Sequence, residues 1–226
     1  MSSLTPAWVL HQRDYRNTSA LVDVFCHTRG CLRVVAKGVK RKPWRHWLRP
    51  FTAVQIDTVG QGDLFTLTDV EPRTEWFNLP VSRYYCGFYL NELLLRALPK
   101  QEAHPDVFVL YEYTLQQLAT LAPLELCLRQ FEWQLLQILG YGVDFVEAQT
   151  RQPLQPQWEY VFQVDEGFVR AVGDESNRFK GADLLTFAQG HGSLVLPVAK
   201  RLMRLALISI IGDKPLMSRQ LFVGSE

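Results

Sequence analysis

Five short runs of β-branched and aromatic residues follow one another in the first part of the chain, and no helical segment lies between them. Turn residues separate neighbouring runs, as at Arg29-Gly30 and at the glycine-containing residues 60–63. The runs cover residues 8–10, 20–25, 32–36, 53–57 and 64–67. Five strands in about seventy residues, without a helical crossover, predict a small closed barrel, and the OB-fold is a common barrel of this size that binds nucleic acid.

The pattern changes from strands to helices at Pro80. Apolar residues then recur at helical spacing, first nearly all round the segment and later on one face, until Gly140 and Gly142. Residues 158–172 alternate in the manner of a β-hairpin that turns at residues 166–167. Helices are predicted over residues 84–98, 108–118, 124–138 and about 197–211. We therefore expect an α+β chain, with an OB-fold barrel domain over residues 1–79 and a helical-bundle domain over residues 80–226 that contains the small β-hairpin insertion.

Positive charge is concentrated in one segment, although the net charge of the whole chain is only +1. Residues 24–56 contain no aspartate or glutamate. Their lysines and arginines are Arg29, Arg33, Lys37, Lys40, Arg41, Lys42, Arg45 and Arg49. This asymmetry indicates a polyanionic partner, while a solvated charged surface without a partner is the alternative.

Two tryptophans, Trp44 and Trp47, lie in the densest part of this positive segment, KGVKRKPWRHWLR at residues 37–49. Cations neutralise phosphates and release condensed counterions, and an indole offers a face on which any base stacks, contributing about 1–3 kcal/mol per base. The segment joins the third and fourth predicted strands, and loops of an OB barrel commonly form the groove for a single strand. We predict a DNA-binding site that comprises Arg33, Lys37, Lys40, Arg41, Lys42, Trp44, Arg45, Trp47 and Arg49. The alternative for the two tryptophans is packing against the barrel.

Recognisable catalytic motifs are missing from the sequence. Residues 190–193 lack the order of a nucleophile elbow, and Gly60-Gln61-Gly62 stands between two strands instead of opening a helix. The five histidines show neither H-x-H nor H-E-x-x-H spacing, and the four cysteines form no C-x-x-C pair. We expect a protein that is not an enzyme, needs no cofactor or metal, and keeps its cysteines reduced and mostly buried.

The apolar runs of the chain are short. The longest of them, such as residues 205–211, cannot cross a bilayer, and no signal-peptide pattern opens the chain. We expect a cytoplasmic protein without a membrane partner.

Several segments resemble the RecO family of bacterial recombination mediators. Residues 8–42 resemble the start of RecO proteins, which ends in a V-A-K-G segment followed by basic residues. Further matches follow in order and at compatible spacing: LRPFTAVQI, YLNELLLRAL, LRQFEWQLLQILGYG and the C-terminal KPLMSRQLF. These matches extend from Trp8 to Phe222, and their combination is specific to the family.

The resemblance implies a DNA repair protein of the bacterial nucleoid that binds single- and double-stranded DNA and anneals complementary strands. It also implies two direct partners, RecR and the C-terminal tail of the single-strand-binding protein SSB. RecA is implied as an indirect partner, because the protein and RecR together would load RecA on SSB-coated strands. Carried over by position, Lys37, Lys40, Arg41 and Lys42 match the family's basic segment. Arg129 matches the helix arginine that receives the acidic, phenylalanine-ending tail of SSB. A basic stretch in the family's last helix is matched by Lys200, Arg201 and Arg204, and we place it beside Arg129, in the SSB-tail site, as a hypothesis. The alternative for Arg129 is an ion pair with Glu125 or Glu132.

Two features depart from the family pattern. Many members carry four cysteines as a zinc finger before the hairpin, whereas residues 143–160 contain no cysteine, so zinc should be absent. Trp44 and Trp47 are not part of the family pattern, so their stacking on bases is argued from physical chemistry alone.

Two other classes of protein stay open, an OB-fold RNA-binding adaptor and a metal-dependent nuclease with dispersed carboxylates.

Overall fold

Two compact units make up the protein in this computed structural model, one formed by residues 1–121 and 215–226 and the other by residues 122–214. The structure describes residues 4–76, 79–120, 122–173, 175 and 177–218, without the side chains of residues 74–76. The last four residues of the C-terminal family motif, residues 219–222, lie outside the described residues. In the described part of the chain, no helix combines the length and the hydropathy that a membrane span requires.

A closed five-stranded barrel forms the first unit's β-structure, in the order β1-β2-β3-β5-β4. Its strands are β1 (Thr5–Tyr15), β2 (Ser19–Cys26), β3 (Gly30–Ala36), β4 (Thr52–Val59) and β5 (Phe65–Trp76). Strands β3 and β5 pair in parallel, the other neighbours pair antiparallel, and β4 closes the barrel against β1. The predicted closed barrel, its OB-fold strand arrangement and the mixed α+β class are confirmed.

Small and β-branched side chains fill the barrel interior. Val9, Val22, Val34 and Val54 are completely buried, because alternate residues of each strand point inward. Larger side chains, such as Phe65 and Leu67, complete this core. The chain between β3 and β4 forms two short 3₁₀-helices, Val39–Arg41 and Pro43–Leu48. This segment is therefore ordered by the barrel core, although the sequence suggested a loop.

Helices α1 (Tyr84–Ala97) and α2 (Pro105–Ala119) belong to the same compact unit as the barrel. The side-chain amide of Asn91 donates to the Leu10 carbonyl at 2.6 Å, beside an irregularity in β1, and accepts from the Tyr111 hydroxyl at 2.5 Å. This buried pair of hydrogen bonds satisfies polar groups of β1, α1 and α2 together. The change from strands to helices thus occurs where the sequence predicts it. The first compact unit nevertheless includes α1 and α2 and extends to residue 121.

The connection between α1 and α2 lies directly on the turn between β2 and β3. Gly30 begins β3 directly after this turn with φ 66°, and a β-carbon at its position would lie 1.8 Å from the Glu102 carbonyl oxygen. Only glycine permits both the left-handed backbone and this close approach. The backbone amide of Gln101 also donates to the Cys31 carbonyl at 3.1 Å, which ties the connection to the start of β3.

The second unit combines helices with a small sheet of order β7-β6-β8. Its elements are α3 (Leu124–Ile138), β6 (Glu159–Gln163), β7 (Gly167–Arg170), β8 (Arg178–Lys180), α4 (Gly181–Ala188), α5 (Leu196–Ala206) and α6 (Ile208–Ile211). The predicted hairpin is present as β6 and β7, and the predicted last helix is divided at Leu207. Strand β8 and helix α4 were not predicted, since each is too short for a periodic pattern. Buried aromatic rings, including Phe131, Tyr160, Phe168 and Phe179, form the core.

Candidate nucleic-acid interface

Six cations project from the segment between β3 and β4, which we call the basic segment (residues 37–49). Val39 and Leu48 are completely buried in the barrel core and hold the segment at both ends. The intervening turns leave the charged side chains outside, and every lysine and arginine of the segment is exposed. These cations are Lys37, Lys40, Arg41, Lys42, Arg45 and Arg49. The structure therefore brings together all predicted DNA-binding cations of this stretch.

The tryptophans of the basic segment face the barrel. Trp44 and Trp47 are partly buried and pack against the hydrophobic core. The alternative that they cover the barrel is thus what the structure shows. Each ring keeps some exposed surface, so its stacking on a base stays a prediction.

Carboxylates approach the predicted site from the neighbouring strands. Asp23 of β2 accepts from the Arg33 guanidinium at 2.7 Å, and Asp14 of β1 lies 3.0 Å from the Lys40 amino group. The hydrogen bond that Arg33 donates to Asp23 raises the pKa of Arg33, against the opposing effect of burial. Arg29, which belongs to the carboxylate-free residues 24–56, lies over the Phe65 ring and donates to the Thr58 hydroxyl at 2.7 Å.

The remaining cations of the basic segment differ from Arg33 and Lys40 in their surroundings. Among the described residues, no ion pair or side-chain hydrogen bond involves the set Lys37, Arg41, Lys42, Arg45 and Arg49, which we call the unpaired cations. Exposed cations without a protein carboxylate keep their full electrostatic attraction for phosphates. They are the strongest candidates for contacts with a nucleic-acid backbone.

An open groove of about 880 Å³ adjoins the basic segment, with which it shares Lys37 and Gly38. Its other described lining comes from the end of β1 and the turn to β2 (residues 15–19) and from Val35, Leu64 and Thr66. The Thr18 carbonyl accepts from the Lys40 backbone amide at 3.2 Å, so the turn and the basic segment are held together. Sequence reasoning missed this groove. The available signal was an aromatic residue at the end of a strand followed by an arginine in the turn, Tyr15-Arg16.

In the second unit, Arg129 of α3 lies at a small pocket of about 210 Å³. The indole of Trp133 and the ring of Phe187 also line this pocket, and their centroids are 5.2 Å apart. The Arg129 guanidinium donates to the buried Glu132 carboxylate at 2.5 Å, as the ion-pair alternative expected. Its Nε is buried and has no acceptor among the described residues.

The basic residues of α5 have different surroundings. Lys200 pairs with Glu125 at 3.0 Å, one helical turn before Arg129 on α3. Arg201 lies over the Phe179 ring at 4.0 Å and donates to the Arg178 carbonyl. Arg204 is exposed. None of the three belongs to the described lining of the Arg129 pocket.

The four cysteines are buried thiols without disulfides, as expected for reduced cysteines. Burial raises the pKa of both Cys26 and Cys31 to about 12, so these thiols stay protonated at neutral pH. Within the described ranges, no cluster of three or more histidine, cysteine, aspartate or glutamate side chains is placed to hold a metal ion.

Two protein-family models match the chain, Recombination protein O N terminal over residues 1–76 and Recombination protein O C terminal over residues 81–192. The chain belongs to the RecO family. It is 42% identical to the DNA repair protein RecO of Haemophilus influenzae (strain ATCC 51907) over 226 residues, covering 98% of this chain and 96% of the relative. It is also similar to the DNA repair protein RecO of Glaesserella parasuis, with 41% identity over 95% of this chain and 92% of the relative, and to that of Cellvibrio japonicus, with 40% identity over 97% and 96%. The barrel thus lies in the N-terminal RecO region, while α3 and its pocket lie in the C-terminal RecO region.

Proposed function

We propose that this protein is a non-enzymatic DNA-binding recombination mediator that anneals complementary strands during repair. The observation that carries the proposal is the set of unpaired cations on the exterior of the barrel. RecO-family membership directs this surface toward DNA, because the similar proteins are DNA repair proteins.

Annealing of this kind requires no chemical step. Two strands repel each other through their phosphates, and the unpaired cations offset that repulsion when both strands lie near the barrel. Phosphate contacts position a strand without reading its bases, so the base edges stay available for pairing. Binding should then tolerate many sequences and weaken steeply with salt.

A second site is proposed at Arg129 for the acidic, phenylalanine-ending C-terminal tail of SSB. An arginine makes charge-assisted hydrogen bonds to carboxylates, and Arg129 lines the pocket beside its ion pair with Glu132. The neighbouring Trp133 and Phe187 rings supply an apolar wall for a terminal phenyl group. In this proposal the protein acts with RecR to load RecA on SSB-coated single strands, which rests on the family resemblance.

Annealing of complementary SSB-coated strands tests the main proposal. The wild-type protein should accelerate strand pairing, and a variant in which all five unpaired cations are changed to glutamine should not. Circular dichroism and thermal unfolding of the variant check that the barrel is intact. Equal annealing by both proteins at matched concentration contradicts the proposal, and magnesium-dependent cleavage of the strands supports the nuclease alternative.

A peptide with the sequence character of the SSB tail tests the second site. Arg129→Glu should weaken peptide binding more than about tenfold, because it replaces the carboxylate-binding group by a like charge. The matched control is Arg151→Glu, which makes the same charge change at an exposed position of the same unit. Unchanged peptide affinity in the Arg129 variant, measured by fluorescence anisotropy, contradicts this assignment.

A further inference from the structure

The groove beside the basic segment combines features that phosphate binding alone does not need. Its described lining contains the cations Arg16 and Lys37 and no carboxylate. The guanidinium carbon of Arg16 lies 5.2 Å from the centroid of the Tyr15 ring. The Leu64 side chain, 43% exposed, adds an apolar surface to the same groove.

Flat and apolar groups are what an unstacked nucleobase requires. A base in single-stranded nucleic acid is free to stack on tyrosine or on an arginine plane, whereas bases of a duplex are already stacked on one another. The same groove opens directly onto Lys37, the first cation of the basic segment. A strand whose phosphates follow the basic segment can therefore turn a base into the groove.

We propose that this groove is a single-strand-selective subsite, in which Tyr15, backed by Arg16, provides the stacking surface for a base. This inference rests on the proposed DNA-binding function and adds the element that distinguishes single strands from duplex. Thr18 and Ser19 complete the polar rim, and the hydrogen bond between Thr18 and Lys40 fixes the groove relative to the cations.

The test compares an oligothymidine with a strand of the same length that lacks bases. Tyr15→Leu keeps an apolar side chain but removes the aromatic face, and it should weaken binding of the oligothymidine about 5- to 150-fold, as expected for loss of one stacked base. Binding of the abasic strand and of duplex DNA should change by less than about twofold, because both rely on phosphate contacts. Tyr15→Phe should retain wild-type affinity for all three.

The matched control is Tyr113→Leu, which removes a 53%-exposed tyrosine from α2 in the same unit. Tyr15→Leu protein that binds oligothymidine as tightly as wild type overturns the inference. An equal loss on the ordinary and abasic strands also overturns it, because the residue then acts on the backbone or on folding. If the wild-type protein binds no strand at all, the proposed function itself fails.

Photocrosslinking of the wild-type protein provides a measurement that no folding defect can affect. A strand containing 5-iododeoxyuridine crosslinks to aromatic residues on which the base stacks, and mass spectrometry should locate the adduct at Tyr15. Adducts confined to Trp44 and Trp47, or no adduct, would instead reject this subsite.

Discussion

Two stretches of the chain carry similar densities of positive charge, the basic segment (residues 37–49) and the AKRLMR stretch of α5. In the basic segment, five cations have no carboxylate partner among the described residues. In α5, Lys200 is paired with Glu125, and Arg201 lies against the Phe179 ring and the Arg178 carbonyl. The comparison shows that the groups around a cation, and not its presence in a cluster, decide whether it is available to a partner.

The difference arises from the element on which each stretch lies. Helix α5 buries Ala199, Leu202, Met203 and Ala206. Lys200 and Arg201 flank this packed face and reach the neighbouring α3 and β8, whereas Arg204 is exposed. The basic segment buries Val39 and Leu48 at its ends and turns its cations to solvent. A guanidinium over an aromatic ring stabilises the fold. An exposed cation instead can neutralise a phosphate and thereby release the counterions that are condensed on the nucleic acid.

The largest effect should follow from changing the five unpaired cations to glutamine. Single-strand affinity should fall about a hundredfold or more at low salt. The negative slope of log K against log salt should become shallower by about 3.5, which is about 0.7 for each of the five lost contacts. Fluorescence anisotropy across a salt series measures both quantities. The control is Lys200→Gln in α5, whose cation is already paired with Glu125, and it should leave the slope unchanged. A similar decrease of the slope in both variants breaks the comparison.

A smaller effect, on folding instead of binding, is expected for Arg201→Leu. The change removes the contact with Phe179 and a hydrogen bond to a backbone carbonyl, and it should reduce the free energy of unfolding by about 1–3 kcal/mol. Urea denaturation measures this loss, and single-strand affinity should stay at the wild-type value. Arg41→Leu serves as control, because Arg41 is exposed and has no side-chain partner in the part of the chain that the structure describes, so its loss should change stability by less than about 0.5 kcal/mol. Lost DNA affinity with unchanged stability in the Arg201 variant contradicts its structural role.

The sequence predicted the barrel well, because its strands carry strong local signals. Inward-facing valines occur in each strand, and glycines mark the turns between β2 and β3 and between β4 and β5. Each of the five observed strands covers most or all of its predicted run. The packing of α1 and α2 in the same unit depends on contacts far apart along the chain, such as Asn91 with the Leu10 carbonyl. Local periodicity carries no information about such partners, so the helices were predicted but their association was not.

The candidate site was predicted in part for the same reason. An acid-free window identified the basic segment, but Asp14 and Asp23 enter the site from strands β1 and β2 and pair with two of its cations. The groove at Tyr15 and the pocket between α3 and α4 each combine residues from separate elements. Arg129 was found through the family resemblance, whereas Phe187, on a helix that was not predicted, was missed.

The smallest effect is expected from releasing one paired cation of the basic segment. Asp14→Asn removes the carboxylate that lies 3.0 Å from Lys40 and should allow Lys40 to contact a phosphate. Single-strand affinity should then rise a few-fold. The negative slope of log K against log salt should become steeper by about 0.7, the value for one added contact. Because Asp14 is exposed, stability should be unaffected.

Asp144→Asn is the control for this release, since it removes an equally exposed carboxylate from an ion pair with Arg151 in the second unit. Both variants gain the same net charge, so a general electrostatic effect raises affinity equally in the two. A rise in the Asp14 variant alone, accompanied by the steeper slope, means that Lys40 joins the unpaired cations once its partner is removed. Equal rises mean that net charge, and not the local partner, governs binding, and the distinction between paired and unpaired cations then fails.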